Sequence, residues 1–99
     1  MTDYLYKQSG EPFGFRRGRF IFDMHGKAIG QIDRTHVHKL TGPYVGELED
    51  DMVLDKGLGN FGNIGHPGNP GSAGAPGHPG NRGNRGSRGY RDVSGKLLE

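Results

Sequence analysis

Four segments of the chain decide the fold: YLYKQSGEPFGF (residues 4–15), FIFDMHGKAIGQ (20–31), HVHKLTGPYVGE (36–47) and MVLDKGLGNFGN (52–63). They repeat every 16 residues, and equivalent positions hold similar residue types. Two sets of equivalent positions, which we call columns, define the repeat. The aliphatic column contains Leu5, Ile21, Val37 and Val53, and the glycine column contains Gly14, Gly30, Gly46 and Gly62. A period that holds in several columns indicates one structural unit used four times.

Each copy predicts a β-hairpin. Aromatic and β-branched residues stand on both sides of a polar connection that contains glycine, for example His25-Gly26-Lys27. This pattern is typical of two short strands and a turn, whereas each glycine inside a helix would cost about 1 kcal/mol. An isolated hairpin is marginal in water. We therefore predict an all-β fold in which four hairpins bury their apolar columns together in a pseudo-four-fold arrangement.

A second repeat has a period of three. From Gly59 to Arg91 the chain consists of eleven uninterrupted Gly-X-Y triplets. Glycine at every third residue is what three polyproline-II chains require around a crowded axis, although proline is sparser here than the roughly 15–20% of collagen-like chains. Three states stay open: a collagen-like or other polyproline-II segment, a disordered linker, and packing of glycine-rich runs on each other or on the head. The collagen-like state predicts a homotrimer.

The two repeats predict the domain organisation. The hairpin head is expected over residues 1–58, with its fourth repeat running on to about 65, the Gly-X-Y tail over 59–91, and a C-terminal extension over 92–99. Gly62 belongs to both repeats, so the tail is expected to leave the head along the fourth hairpin.

The hairpin copies resemble a known family. The segments HVHKLTGPYVGEL and DMVLDKGLGNFGNIG, the latter leading into Pro-Gly repeats, are similar to the four-fold β-flower family of small bacterial proteins. The resemblance covers about residues 3–65 and, more loosely, the tail. It implies a shallow, symmetric arrangement of hairpins, and it implies no particular activity or functional residue. The fourth copy departs from the pattern, because Leu58 and Gly59 stand where the turn is expected.

Composition limits the other possibilities. Hydrophobic residues make up 30% of the chain, below the roughly 45–50% of ordinary globular proteins, and the absence of cysteine excludes disulfides. No basic region followed by an apolar run begins the sequence, so we expect no standard signal peptide. No stretch approaches the roughly 20 apolar residues of a membrane span. The default expectation is a cytoplasmic protein with no membrane contact, and release by a non-standard route stays open.

The tail carries the residues most suggestive of binding. Polyproline II has three residues per turn, so the arginines at the third triplet positions would form one edge, with Tyr90 beside them as a stacking surface: Arg82, Arg85, Arg88 and Arg91. Such a row is suited to phosphates and to stacked bases. Nucleic acid or another polyanion is therefore a candidate partner.

Two histidines are candidate metal ligands. His36 and His38 project from the same face of a strand, and imidazole is a common zinc ligand. However, the equivalent positions in the other repeats hold Tyr4 and Tyr6, Phe20 and Phe22, or Met52 and Leu54. The histidines therefore indicate a variant of an aromatic face, and we predict neither a metal nor a cofactor.

Charged runs fill two connections between hairpins. Arg16, Arg17 and Arg19 lie between the first and second copies, and an acidic run lies between the third and fourth, consisting of Glu47, Glu49, Asp50 and Asp51. We interpret the acidic run as a solvated connection that could attract arginines of a neighbouring chain.

No nucleophile–base set or phosphate-binding loop is present in the sequence. The leading hypothesis is a non-enzymatic structural or interaction protein, whose head presents the Gly-X-Y tail for self-association or partner binding. The alternative is a nucleic-acid-binding accessory protein.

Overall fold

The computed structural model describes residues 3–57, 61–65, 67–68, 70–81, 83 and 90–98. Eight strands follow in chain order, and each pairs antiparallel with the next. They are β1 Asp3–Tyr6, β2 Pro12–Arg17, β3 Phe20–Asp23, β4 Ala28–Asp33, β5 His36–Lys39, β6 Tyr44–Glu49, β7 Met52–Asp55 and β8 Arg91–Asp92, followed by a 3₁₀ helix, Ser94–Leu97. The predicted all-β fold is confirmed. None of the helices in the described residues is long and apolar enough to span a membrane.

The first three hairpins share one irregularity. The strand register shifts directly after the aliphatic column, at Leu5, Ile21 and Val37. A bulge at this point bends the strand and increases its twist, so the same bend recurs in these three hairpins and the sheet curls. The curl brings β1 to the connection between β6 and β7, where the amide of Tyr6 donates a hydrogen bond of 2.8 Å to the carbonyl of Asp51.

The glycine column lies where neighbouring hairpins approach most closely. Each aliphatic residue pairs with a glycine of the same hairpin, as Leu5–Gly14, Ile21–Gly30 and Val37–Gly46. A Cβ added to these three glycines would meet the carbonyl oxygens of Phe22, His38 and Leu54 in the next hairpin along the chain. No larger residue fits between the strands, which is the general reason for glycine inside a sheet.

The aliphatic column forms the centre of the core. Ile21, Val37 and Val53 are fully buried. The cluster around them also contains the following residues: Leu5, Phe13, Ile32, Val45, Val93 and Leu97. A second, smaller cluster contains Phe15, Phe22 and Ala28, with Ala73 packed against it.

The fourth hairpin differs from the sequence-based expectation. The register of the other hairpins would place Gly62 opposite Val53, but it is the amide of Val93 that donates to the Val53 carbonyl, at 3.0 Å. The strand paired with β7 is β8, through Leu54–Asp92 and Asp55–Arg91. The described residues between 56 and 90 therefore lie in a connection between two strands of the sheet, which we call the glycine-rich loop.

The C-terminal residues belong to the core of the head. The extension expected over 92–99 contains Val93 and Leu97, each 3% exposed. Val93 lies against Gly46 and Leu97 against Gly30. The physical reason is that β7 would otherwise leave its apolar residues at an open sheet edge.

Glycines of the loop do not adopt polyproline II. Five of them, at a spacing of three residues, have φ between +77° and +89°: Gly68, Gly71, Gly74, Gly77 and Gly80. Polyproline II requires φ near −75° at every residue, whereas glycine, without a Cβ, adopts positive φ readily. The expectation of a polyproline-II segment therefore does not describe these positions.

Candidate functional site

The glycine-rich loop is hydrogen-bonded to two hairpin turns of the head. The amide of Ile64 donates to the carbonyl of Gly42 at 3.1 Å, and the amide of Ala73 donates to that of Gly26 at 2.9 Å. Gly26 and Gly42 are equivalent residues of successive repeats, and the loop residues that reach them are nine apart, or three triplets. One step of the 16-residue repeat in the head is thus matched by three triplets of the loop.

Two further side chains of the head hydrogen-bond to the loop. The hydroxyl of Tyr4 donates to the carbonyls of Pro76 and Gly77, at 3.0 and 3.1 Å. The side-chain amide of Gln31 donates to the carbonyl of Gly65 at 3.2 Å. The loop therefore crosses the third, second and first hairpins in that order before the chain returns to β7.

The three-residue period has a role in this packing. Between residues 61 and 83, the described loop residues that are partly buried all occupy the third triplet position: Ile64, Pro67, Ala73 and Pro76. The described glycines and second-position residues of this stretch are exposed, as are the third-position residues Phe61, Pro70 and Pro79. The residues that are covered therefore follow the three-residue period, and the exposed residues form an outer surface.

The loop begins with an aromatic stack. The ring of Phe61 lies parallel to that of His36, with 3.9 Å between centroids, and edge-on to Tyr44 at 5.0 Å. Phe61 is nevertheless 42% exposed, so one face of its ring is open to solvent.

Glu47 lies beneath this stack and is only 3% exposed. Its Oε2 is 2.7 Å from His36 Nδ1 and accepts a hydrogen bond of 2.7 Å from the Tyr44 hydroxyl. Its Oε1 accepts a hydrogen bond of 2.9 Å from the Thr35 hydroxyl. The interpretation of Glu47 as part of a solvated connection was therefore wrong. The repeat contained the signal, since the equivalent residue in the first copy is Phe15, which is buried.

These contacts shift two pKa values. Burial by itself would raise the pKa of Glu47, but hydrogen bonds from His36, Tyr44 and Thr35, with the charge of His36, outweigh it and lower the pKa below 4.5. Burial, the hydrogen bond to Glu47 and the carboxylate charge raise the pKa of Tyr44 above its usual value. Glu47 is therefore ionised and Tyr44 protonated near neutral pH.

The pH dependence of stability tests this cluster. A carboxyl whose pKa is lowered by folding stabilises the protein above its unfolded pKa, and that contribution is lost as the pH falls through the folded pKa. We expect the free energy of unfolding to decrease below about pH 4.5, and Glu47→Gln to reduce this dependence. At neutral pH the substitution should cost about 1–3 kcal/mol, because buried donors lose a charged acceptor. Urea unfolding at a series of pH values measures both effects.

Glu11→Gln is the matched control. The Glu11 side chain is 56% exposed, and its Oε2 lies 3.8 Å from Lys7 Nζ. An exposed ion pair contributes about 0–1 kcal/mol, so this variant should resemble the wild type. Equal losses in the two variants would contradict a special role of Glu47.

The two histidines have separate roles in the structure. His38 is buried, and its Nδ1 lies 2.8 Å from the Gly42 carbonyl, whereas His36 contacts Glu47. In the parts of the chain that the structure describes, no three His, Cys, Asp or Glu side chains are grouped so as to hold a metal ion.

The arginine row is only partly within the structure. Arg82, Arg85 and Arg88 lie outside the described residues. Arg91 is exposed but belongs to β8, and Tyr90 lies with its ring 5.5 Å from the ammonium of Lys56. Polyanion binding by this row stays a prediction. Sequence reasoning did not single out Ile64 and Ala73, the third-position residues whose amides bind the head, and their signal was their spacing of nine.

The chain matches a known protein family over most of its length. A family model described as 4-fold beta flower protein matches residues 3–95. The match includes the glycine-rich loop and the C-terminal segment as well as the hairpins. No curated protein and no solved structure matches the chain.

Proposed function

The chain belongs to the four-fold β-flower family, and from that premise we propose that it is a non-enzymatic interaction protein whose glycine-rich loop is a docking surface for another polypeptide chain, first of all a second copy. The observation that carries the proposal is the division of the loop into an inner and an outer face. Four third-position residues, Ile64, Pro67, Ala73 and Pro76, are partly buried, whereas the described glycines and second-position residues between 61 and 83 are exposed.

The outer face is suited to close contact with a backbone. A Cβ placed on the glycines at 68, 71, 74, 77 and 80 would have no atom within 4 Å. Surfaces with little side-chain relief let another backbone approach closely. The loop is also held at both ends by strands, so less conformational entropy is lost on binding than with a free tail.

A bulky charge on the outer face tests the proposal. Ala75 is an exposed second-position residue, and Ala75→Arg is expected to abolish self-association through the loop while leaving thermal unfolding unchanged. The measurement is the absolute mass in solution over a range of concentrations at about 1 M NaCl, where contacts between charged surfaces are screened. Ser9→Arg, at an exposed turn residue on the head, is the control and should associate like the wild type. Equal masses for all three proteins would contradict a docking role of the loop.

Gly65→Ala distinguishes this surface from a collagen-like trimer. In a triple helix every third residue must be glycine, so the substitution would break the assembly. In the present structure a Cβ on Gly65 has open space around it, and we expect no change in mass. A threefold mass that is lost in Gly65→Ala would support the triple helix instead.

A further inference from the structure

The three turns that join successive hairpins share a backbone shape but differ in charge. Their third residues, Gly18, Arg34 and Asp50, have φ of 61°, 61° and 55°. The turn sequences are Arg16-Arg17-Gly18-Arg19, Ile32-Asp33-Arg34-Thr35 and Leu48-Glu49-Asp50-Asp51. The first turn is therefore strongly basic, the second balanced and the third strongly acidic.

The basic turn presents two arginines that lack a carboxylate partner. Arg17 and Arg19, which we call the arginine tip, are both exposed. Their guanidinium groups lie over rings of the same head, 5.7 Å from the centroid of Phe15 and 5.4 Å from that of Phe20. In the described part of the chain, neither arginine forms an ion pair. The rings hold the side chains in place without neutralising their charge.

The acidic turn borders a cleft of about 450 Å³ between the third connection and the first strand. The charged and aromatic residues that line this acidic cleft are Asp3, Tyr4, Tyr6, Arg16, Asp50 and Asp51. The lining thus contains three carboxylates and one guanidinium, so its net charge is negative. Carboxylates bind guanidinium in bidentate geometry, and tyrosine rings add cation–π contacts. The chemistry of the cleft therefore fits arginine.

We propose that the arginine tip of one copy docks in the acidic cleft of a second copy, so that heads assemble head to tail. This goes beyond the docking role of the loop, because both surfaces lie on the hairpins. The tip and the acidic turn are two repeats apart in the sequence, and the proposed contact pairs one with the other. A contact repeated in this head-to-tail sense continues into a ring or an open chain.

Equivalent turns share a backbone conformation, so a residue found in one turn is a suitable substitution at the equivalent position of another. Arg17→Glu with Arg19→Asp transfers Glu49 and Asp51 to their equivalent positions in the first turn, which gives a variant with an acidic tip. Asp50→Arg with Asp51→Arg transfers Arg34 and Arg19 to the third turn, which gives a variant with a basic cleft. Both are made in the Ala75→Arg background, so that association through the loop does not contribute.

Each double variant alone is expected to be monomeric, because its tip and cleft carry like charges. An equimolar mixture is expected to associate again, since the acidic tip then meets the basic cleft and the unaltered tip meets the unaltered cleft. Each lost charge pair should weaken association about tenfold. Absolute mass in solution is the readout, and the Ala75→Arg parent is expected to lose association between about 10 mM and 1 M NaCl, as the Debye length falls from about 30 Å to about 3 Å.

Several results would overturn this inference. The first is a parent protein that stays monomeric at about 10 mM salt, where screening is weakest. The second is a pair of double variants that each associate as the parent does. The third is an equimolar mixture of the double variants that stays monomeric. If circular dichroism shows either double variant unfolded, Arg17→Gln and Asp50→Asn replace them, and each should weaken association on its own. Failure here leaves the test of the loop unaffected, because that test uses the wild-type turns.

Discussion

A chain that ends at Ile64 is expected not to fold. The truncation removes β8 together with Val93 and Leu97, which are each 3% exposed in the main core cluster. Burying an aliphatic side chain contributes about 1.5–3 kcal/mol, so the two residues together contribute about 3–6 kcal/mol. Small domains have only about 5–15 kcal/mol of net stability. The loss of pairing along β7 adds to this cost.

Thermal and urea unfolding followed by circular dichroism measure the effect. We expect the truncated chain to show no cooperative transition, and the point variant Leu97→Ala in the full chain to lose about 2–5 kcal/mol. Leu98→Ala is the matched control, because Leu98 is 43% exposed and should change stability by less than about 0.5 kcal/mol. A truncated chain that unfolds as cooperatively as the wild type would show that the hairpins are self-sufficient.

Self-association therefore has to be measured on chains that keep β8 and the 3₁₀ helix. Removing the glycine-rich segment from its first triplet onward would also remove core residues, so a lost oligomer would report unfolding. Substitutions on the outer face, such as Ala75→Arg, leave β8 and the 3₁₀ helix in place. They separate docking from folding, which truncation cannot do.

Gly26→Ala is expected to release the glycine-rich loop from the second hairpin. Gly26 has φ +87°, and a Cβ there would lie 2.5 Å from the backbone nitrogen and oxygen of Gly74. An alanine in this conformation costs about 1–2 kcal/mol. The displaced loop also loses the hydrogen bond from Ala73, which is worth about 0.5–1.5 kcal/mol. The total loss should be about 1.5–3.5 kcal/mol.

Gly18→Ala separates the two contributions. Gly18 also has positive φ, +61°, but a Cβ there meets nothing within 4 Å. This variant should show only the conformational cost of about 1–2 kcal/mol. Urea unfolding gives both free energies, and amide hydrogen exchange at Ala73 should accelerate in Gly26→Ala alone. Equal behaviour of the two variants would mean that the loop contact does not contribute.

Much of the hairpin architecture could be predicted from the repeat. The columns of Leu5 and Gly14 recur at 16 residues because each of the first three hairpins places a buried residue opposite a glycine, where the next strand comes close. Such requirements are local, and they act on every copy in the same way. The buried position of Glu47 was equally available from its column, but its charge directed the interpretation towards solvent.

By itself, the sequence determined the first three hairpins, the all-β class and the unbroken glycine period, because all three depend on the spacing of residues along the chain. Only the tertiary structure decided what the glycine period does and where the fourth hairpin closes. The pairing of β7 with residues 91–92 joins segments 36 residues apart in sequence, and no local pattern encodes a partner at that distance. The period of three is compatible both with three chains around an axis and with one chain packed on its own head. The difference is made by the contacts of Ile64 and Ala73 with the hairpin turns, which exist only once the head has folded.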